Sequence, residues 1–231
     1  MNHSGKAMQA ALRILFWSFV GVLAVLSAGV VARFFGGMIA ALAGGLLGLW
    51  LLFALFTLYF FRDPEPVRPA DPDAVVSPAH GTVDVIEECQ ELEFMAGRCH
   101  RISIFLNVFN VHVQRAPVSG LLTFTKSHEG GFLSATRTDC GATNENVLIG
   151  FETPGSGGRR IGTRLIAGLI ARRILVWAAA GQSVVRSDRI SLIQFGSRCD
   201  VYLPLDASLS VRLGDRVKGG ESILARLRPG G

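Results

Sequence analysis

Not one aspartate or glutamate occurs in the first 62 of the 231 residues. A stretch of that length without an acid is excluded as an ordinary solvated domain. Cysteine is scarce: Cys89, Cys99, Cys140 and Cys199 form no C-x-x-C pair, and no histidine is spaced to complete a zinc site. Free thiols are expected, in a reducing compartment, which suits a cytoplasmic domain. A nucleotide-binding loop is missing too. "GSGGRR" at 155–160 lacks the Lys-Ser/Thr ending of a phosphate loop and reads as a hairpin turn. Nor is there a basic stripe interleaved with aromatics, so no nucleic acid partner is expected.

What fills the first 62 residues is apolar. Ile14 to Val31 and Phe34 to Phe61 are separated by Ala32-Arg33 and account for the high mean hydropathy of +0.39. At about 1.5 Å per residue either run could cross a hydrocarbon layer of about 30 Å, so an N-terminal hydrophobic helical hairpin over 1–62 is expected. A cleaved signal peptide fits less well, because the second run is too long and lacks a small-residue cleavage site at its end. That run closes on Leu58-Tyr59-Phe60-Phe61-Arg62, an interfacial aromatic belt.

The net charge of +5 also resides there. Lys6, Arg13, Arg33 and Arg62 are four of the 23 basic residues, and the other 19 face 18 acids. Positive charge before the first helix and after the second favours both ends inside, at an inner membrane with the following domain on the cytoplasmic side.

Prolines at 64, 66 and 69 make residues 63–69 an extended linker. From Ala70 to 231 short β-type runs alternate with turn residues: Val83 to Ile86, Ile102 to Leu106, Val108 to Val113, Leu121 to Phe124 and Val147 to Phe151. Ile161 to Trp177 is ambiguous by period, and its β-branched content favours strand. The expected fold is mainly β, a barrel-sandwich-like domain after the helical hairpin. Residues 77–83 and 213–221 resemble each other in style, as turns of such a fold.

Two features could carry chemistry. In "SLIQFGSRCDVYLP", Gly196-Ser197 interrupts an apolar pattern; the pair is a bulge or a reactive linkage, and Phe195-Gly196-Ser197-Arg198-Cys199 is not the G-x-S-x-G of a nucleophile elbow. In Val108–Gln114 a period of two puts Asn110, His112 and Gln114 on one face of a strand.

The blocks "FFRDPEP", "VVSPAHGTVDVI", "ISIFLNVFNVHVQRAPVSG", "LIAGLIARRI" and "ISLIQFGSRCDVYLP" occur in that order. From about Phe60 onward the chain resembles bacterial phosphatidylserine decarboxylase proenzymes of the short, membrane-associated type. The resemblance implies self-cleavage between Gly196 and Ser197: the serine hydroxyl attacks the preceding carbonyl, the ester eliminates, and Ser197 becomes a pyruvoyl group. That covalent cofactor would form a Schiff base with phosphatidylserine and release CO₂ and phosphatidylethanolamine. His112 would be the general base. The implied partners are phosphatidylserine, the membrane, the α and β chains of one proenzyme, and a second copy in a homodimer.

The chain departs from the family at two places. The family's Asp in "SPADG" is His80 here, which forms no negative partner for His112, so slow or blocked maturation is expected. Asp84 is a nearby acid that could compensate. Asn144-Glu145-Asn146 replaces Asn-Glu-Arg and reads as a surface loop, while Arg172 and Arg173 match the family's "ARR" and suit either a phosphate or a solvated strand edge. The rival readings are a membrane-tethered, non-catalytic barrel-sandwich binding module, which would lack a lysine at a Met-Lys-Met hairpin tip, and a serine hydrolase using Ser197 and His112.

Overall fold

Apolar runs free of proline and acid become two helices, α1 (Lys6–Val31) and α2 (Gly37–Phe60). Both are long and apolar enough to cross a membrane. The computed structural model describes residues 5–31, 37–133, 143–154, 158–168, 173–194 and 197–228. Residues 4–63 form one unit and residues 64–231 another. In the first, the indole N–H of Trp50 donates to Ser18 Oγ at 2.7 Å, and Phe19 lies 5.1 Å from the Trp50 ring. A Cβ on Gly29 would sit 3.6 Å from Ile39, so the helices run antiparallel. In an apolar solvent such a bond removes a polar group that would otherwise be unpaired.

The second unit is all β. Its strands are β1 (Ala74–Val76), β2 (Gly81–Glu91), β3 (Gly97–Leu106), β4 (Val113–Arg115), β5 (Gly120–His128), β6 (Asn146–Glu152) and β7 (Arg160–Ala167). They continue as β8 (Ile174–Val176), β9 (Gln182–Val184), β10 (Arg189–Ile193), β11 (Ser197–Leu203), β12 (Ser208–Leu209), β13 (Arg216–Val217) and β14 (Ile223–Arg226). One antiparallel sheet has the order β13-β2-β3-β11-β7-β6-β5-β9; two small ones are β4-β10-β8 and β1-β14-β12.

Alternation of side chains sends every second residue of the large sheet into one core. Val83, Ile104, Cys199, Leu165 and Val147 form one cross-strand row, and Ile86, Ile102, Val201, Thr163 and Ile149 the next. All but Ile86 are buried. Each buried aliphatic side chain contributes about 1.5–3 kcal/mol, which makes this ladder the main support of the sheet. The opposite face carries charges and a small cluster of Phe94, Cys99, Leu148 and Tyr202. There Cys89 and Cys99 face each other with sulfurs 3.7 Å apart as free thiols, and burial pushes the Cys99 thiol up to about 12.

The segments 77–83 and 213–221 are partners: Thr82 pairs with Arg216 and Gly81 with Val217. Gly81 has no alternative residue, since a Cβ would stand 2.2 Å from the Phe105 carbonyl oxygen. "GSGGRR" leads into the β6–β7 hairpin, where Glu152 faces Arg160; residues 155–157 lie outside the described residues.

The expected strand from Val108 to Val113 is corrected. Asn107 and Asn110 turn their side chains onto the backbone, Phe109 N–H donating to Asn107 Oδ1 and Asn107 N–H to Asn110 Oδ1, both at 2.9 Å. This Asx chemistry makes a turn, and the strand starts only at Val113. Val111, His112, Val113 and Gln114 are all buried, so no period of two survives. The surface loop expected at Asn144-Glu145-Asn146 is also corrected, because Asn144 and Asn146 are buried and Asn146 opens β6.

The Pro-rich segment is held along the β unit by arginines. Proline has no N–H to give, but its carbonyls still accept. The buried Arg115 donates to Pro64 O at 2.8 Å, and Arg186 donates to Pro69 O, Asp71 O and Ala74 O. Glu65 pairs with Arg189.

Candidate active site

Ser197 is the first residue of β11 and is flanked on both sides, by Leu106 of β3 and Ala167 of β7. It is fully buried, and its Oγ has no hydrogen-bond partner among the described residues. A buried hydroxyl without a partner costs on the order of 1–3 kcal/mol, so its retention needs a use. Only residues 194–196 separate β10, in a small sheet, from β11 in the large one. The chain therefore changes sheets between Ile193 and Ser197; Phe195 and Gly196 lie outside the described residues.

His112 comes to the same end of the large sheet. The turn leaving β3 carries it to the end of β10, where Ile193 N–H donates to the His112 carbonyl at 3.2 Å. Gln114 Nε2 donates to that carbonyl as well, at 2.7 Å, and Ser191 Oγ donates to Gln114 Oε1 at 2.9 Å. The ring is buried, with Nδ1 2.9 Å from Asn110 O. A carbonyl only accepts, so Nδ1 bears a proton, and in the neutral ring Nε2 is the basic nitrogen.

His80 immediately precedes β2, whose Thr82 faces Phe105, itself opposite Arg198. Its Nδ1 accepts from Gly219 N–H at 3.0 Å. The neutral ring then carries its proton on Nε2, which makes that nitrogen a donor, the reverse of a carboxylate.

Asp84, named from sequence as an acid that could compensate for His80, is engaged elsewhere. It binds Arg198 with both oxygens, at 2.8 and 2.5 Å. Arg173 is exposed beside β8, where its carbonyl accepts from Gln194 N–H at 3.4 Å; Arg172 lies outside the described residues. Asn144 supports Ser197's neighbour, its Nδ2 donating to Ala167 O at 2.7 Å. No role was read from sequence for Arg198 or Ser191, while Gln114 was named only as a strand-face residue and Asn144 only as part of a surface loop. The signals available were an arginine directly after the reactive serine and paired polar residues within apolar runs. Among the described residues no group of three or more His, Cys, Asp or Glu could hold a metal.

A model of the phosphatidylserine decarboxylase family matches residues 53–225. The chain belongs to the phosphatidylserine decarboxylase family. It is 46% identical over 179 residues to the phosphatidylserine decarboxylase proenzyme of Desulfotalea psychrophila, covering 78% of this chain and 83% of that one. It is 42% identical over 211 residues to the proenzyme of Symbiobacterium thermophilum, covering 91% and 93%. The proenzyme of Geobacter metallireducens is 42% identical over 206 residues, covering 89% and 88%. The family thus spans the linkage at 196–197, the turn bearing His112 and the whole of the β unit through Ala225, and it makes this chain a decarboxylase.

Proposed function

We propose that this decarboxylase cuts itself between Gly196 and Ser197 and then acts on phosphatidylserine through a pyruvoyl group made from Ser197. Residues 1–62 would attach it to the inner membrane, 63–69 connect, and 70–231 form the decarboxylase domain on the cytoplasmic side. The observation that carries the reading is the buried, unpartnered Ser197 hydroxyl at the junction between sheets.

His112 Nε2, left unprotonated by the Asn110 carbonyl, takes the Ser197 proton as Oγ attacks the Gly196 carbonyl. The peptide nitrogen leaves with a proton, and an ester joins the two residues. Loss of the Ser197 α-proton then breaks the Cβ–O bond, leaving Gly196 as a carboxylate. Water hydrolyses the resulting enamine at position 197 with release of ammonia. The fit of this group is supported by the buried Ser197 hydroxyl and by the β11 ladder to Leu106 and Ala167, which would hold the new terminus after the cut. Once formed, the pyruvoyl ketone accepts an amine and serves as electron sink for the carbon that loses CO₂.

Intact mass of the purified chain tests this. Two chains, 1–196 and 197–231, with the shorter one reducible by borohydride in the presence of amine, are expected, slowly in the parent and faster with His80→Asp; Ser197→Ala should stay whole and release no CO₂ from phosphatidylserine vesicles. Cutting in Ser197→Ala, or a free Ser197 hydroxyl labelled by a fluorophosphonate in an active enzyme, would refute the reading.

A further inference from the structure

The reaction outlined above uses Ser197 and His112, yet the most constrained ion pair near them belongs to neither. Arg198 is among the largest fully buried side chains of the protein. Its side chain leaves β11 on the face opposite Ser197 and reaches across β3 to β2, where both guanidinium Nη atoms meet the Asp84 carboxylate. The backbone is altered to permit this. Val83 faces Ile104 and Val85 faces Ser103, so Asp84 is the extra residue of a bulge. Bulges of this kind re-aim one side chain, at the expense of ladder regularity.

Stability does not account for the arrangement. A buried ion pair can often be replaced by apolar residues without loss, because desolvation offsets the attraction. What a two-pronged arginine–carboxylate pair does supply is orientation. The place that needs it is next door. Ser197 is the terminal residue of its strand, and strand ends are where a backbone is least constrained.

We propose that the Asp84–Arg198 pair is a positioning clamp for residue 197. This rests on the self-cleavage reading. Before the cut, the clamp fixes the backbone of Arg198, and so the direction in which Ser197 Oγ meets the Gly196 carbonyl. After the cut, residue 197 loses its covalent tether to residue 196. The clamp and the ladder then keep the new terminus in place. Neither Asp84 nor Arg198 touches reacting atoms in this scheme; both act through the strand.

The test follows self-cleavage on denaturing gels, in the parent and in a His80→Asp background so that a slow parent does not mask the effect. The double variant Asp84→Asn with Arg198→Gln removes both charges of the pair together, and the buried Asp200, on which Arg198 also acts, keeps Arg101 and Arg164. It should keep the parent's melting temperature but cut more slowly by on the order of 10²-fold, the cost of a misplaced nucleophile. Hydroxylamine should release no extra fragment from it, because the slowed step precedes the ester. The pairing Asp84→Glu with Arg198→Lys, a longer acid with a shorter base, should recover part of the rate. Cutting at the parent rate in the double variant, or build-up of a hydroxylamine-labile ester, overturns the clamp. If the double variant does not fold, Asp84→Glu alone, which keeps both charges but alters the reach, carries the same comparison. A chain that stays whole both as parent and with His80→Asp refutes the self-cleavage reading itself, a distinct result.

Discussion

His80 is the residue on which the rate of the proposed self-cleavage turns. Its ring nitrogen accepts from the Gly219 amide, so the opposite nitrogen donates. On the proposed mechanism an aspartate there would accept from Gly219 as well and would supply the negative charge that the resemblance pairs with His112. Where a comparable acid is neutralised in serine proteases, rates fall by about 10⁴. His80→Asp is accordingly expected to speed self-cleavage by up to about 10⁴-fold, read as the half-time of the single chain on a gel. An unchanged or slower half-time would show that His112 needs no anion beside it. Ser197, His112 and His80 were put forward from sequence through ordered blocks of family resemblance, whereas no role was read for Arg198. An arginine in a strand reads as a solvated residue, and only the bulge at Asp84 reveals that its charge is met inside.

At the level of elements, long alternating runs were legible and tight turns were not. β2, β3 and β6 contain the runs expected at 83–86, 102–106 and 147–151, whereas β7 lies in the run 161–177, ambiguous by period and favoured as strand only by its β-branched content. The 107–110 turn was hidden inside an apolar string, since two asparagine side chains outcompete a ladder that had no partner on that side. The arginine-held segment at 64–74 was legible only in part: its prolines announced an extended chain, and nothing local announced its acceptors. That segment should respond to acid. The hydrogen bond from Arg189 holds the Glu65 carboxyl below its usual range, and that from Arg226 does the same for Asp71. A carboxylate with a lowered folded pKa stabilises above its unfolded value and loses that effect as pH falls through the folded one. Glu65 is well exposed and Asp71 partly so, and the change is expected within this segment. Amide exchange across 64–74 should rise, relative to the core strands, as pH drops below about 4, after correction for intrinsic rates. The bonds from Arg115 and Arg186 to carbonyls do not titrate and should retain partial protection. Equal protection at all pH values would show that the two carboxylates hold nothing.

For the whole molecule, composition alone separated an acid-free apolar segment from a nearly neutral β unit, because membrane solvent and water select opposite residues. Strand order was beyond sequence: nothing local says that residues 77–83 pair with 213–221 across more than a hundred residues. That order has a consequence for the fragment 197–231. Its strands sit between β3 and β7, beside β2, and against β1. A cut at 196–197 would therefore yield two polypeptides threaded through common sheets, inseparable without unfolding. They should co-elute in native chromatography and part only in denaturant. Recovery from that denaturant, rapid and independent of dilution for the intact precursor, becomes second order for the severed pair, its half-time doubling each time the protein is diluted twofold. Assembly is in this sense licensed once: the polypeptide must fold as a single thread before it is nicked, and a molecule that unravels afterwards has to find its missing piece by diffusion.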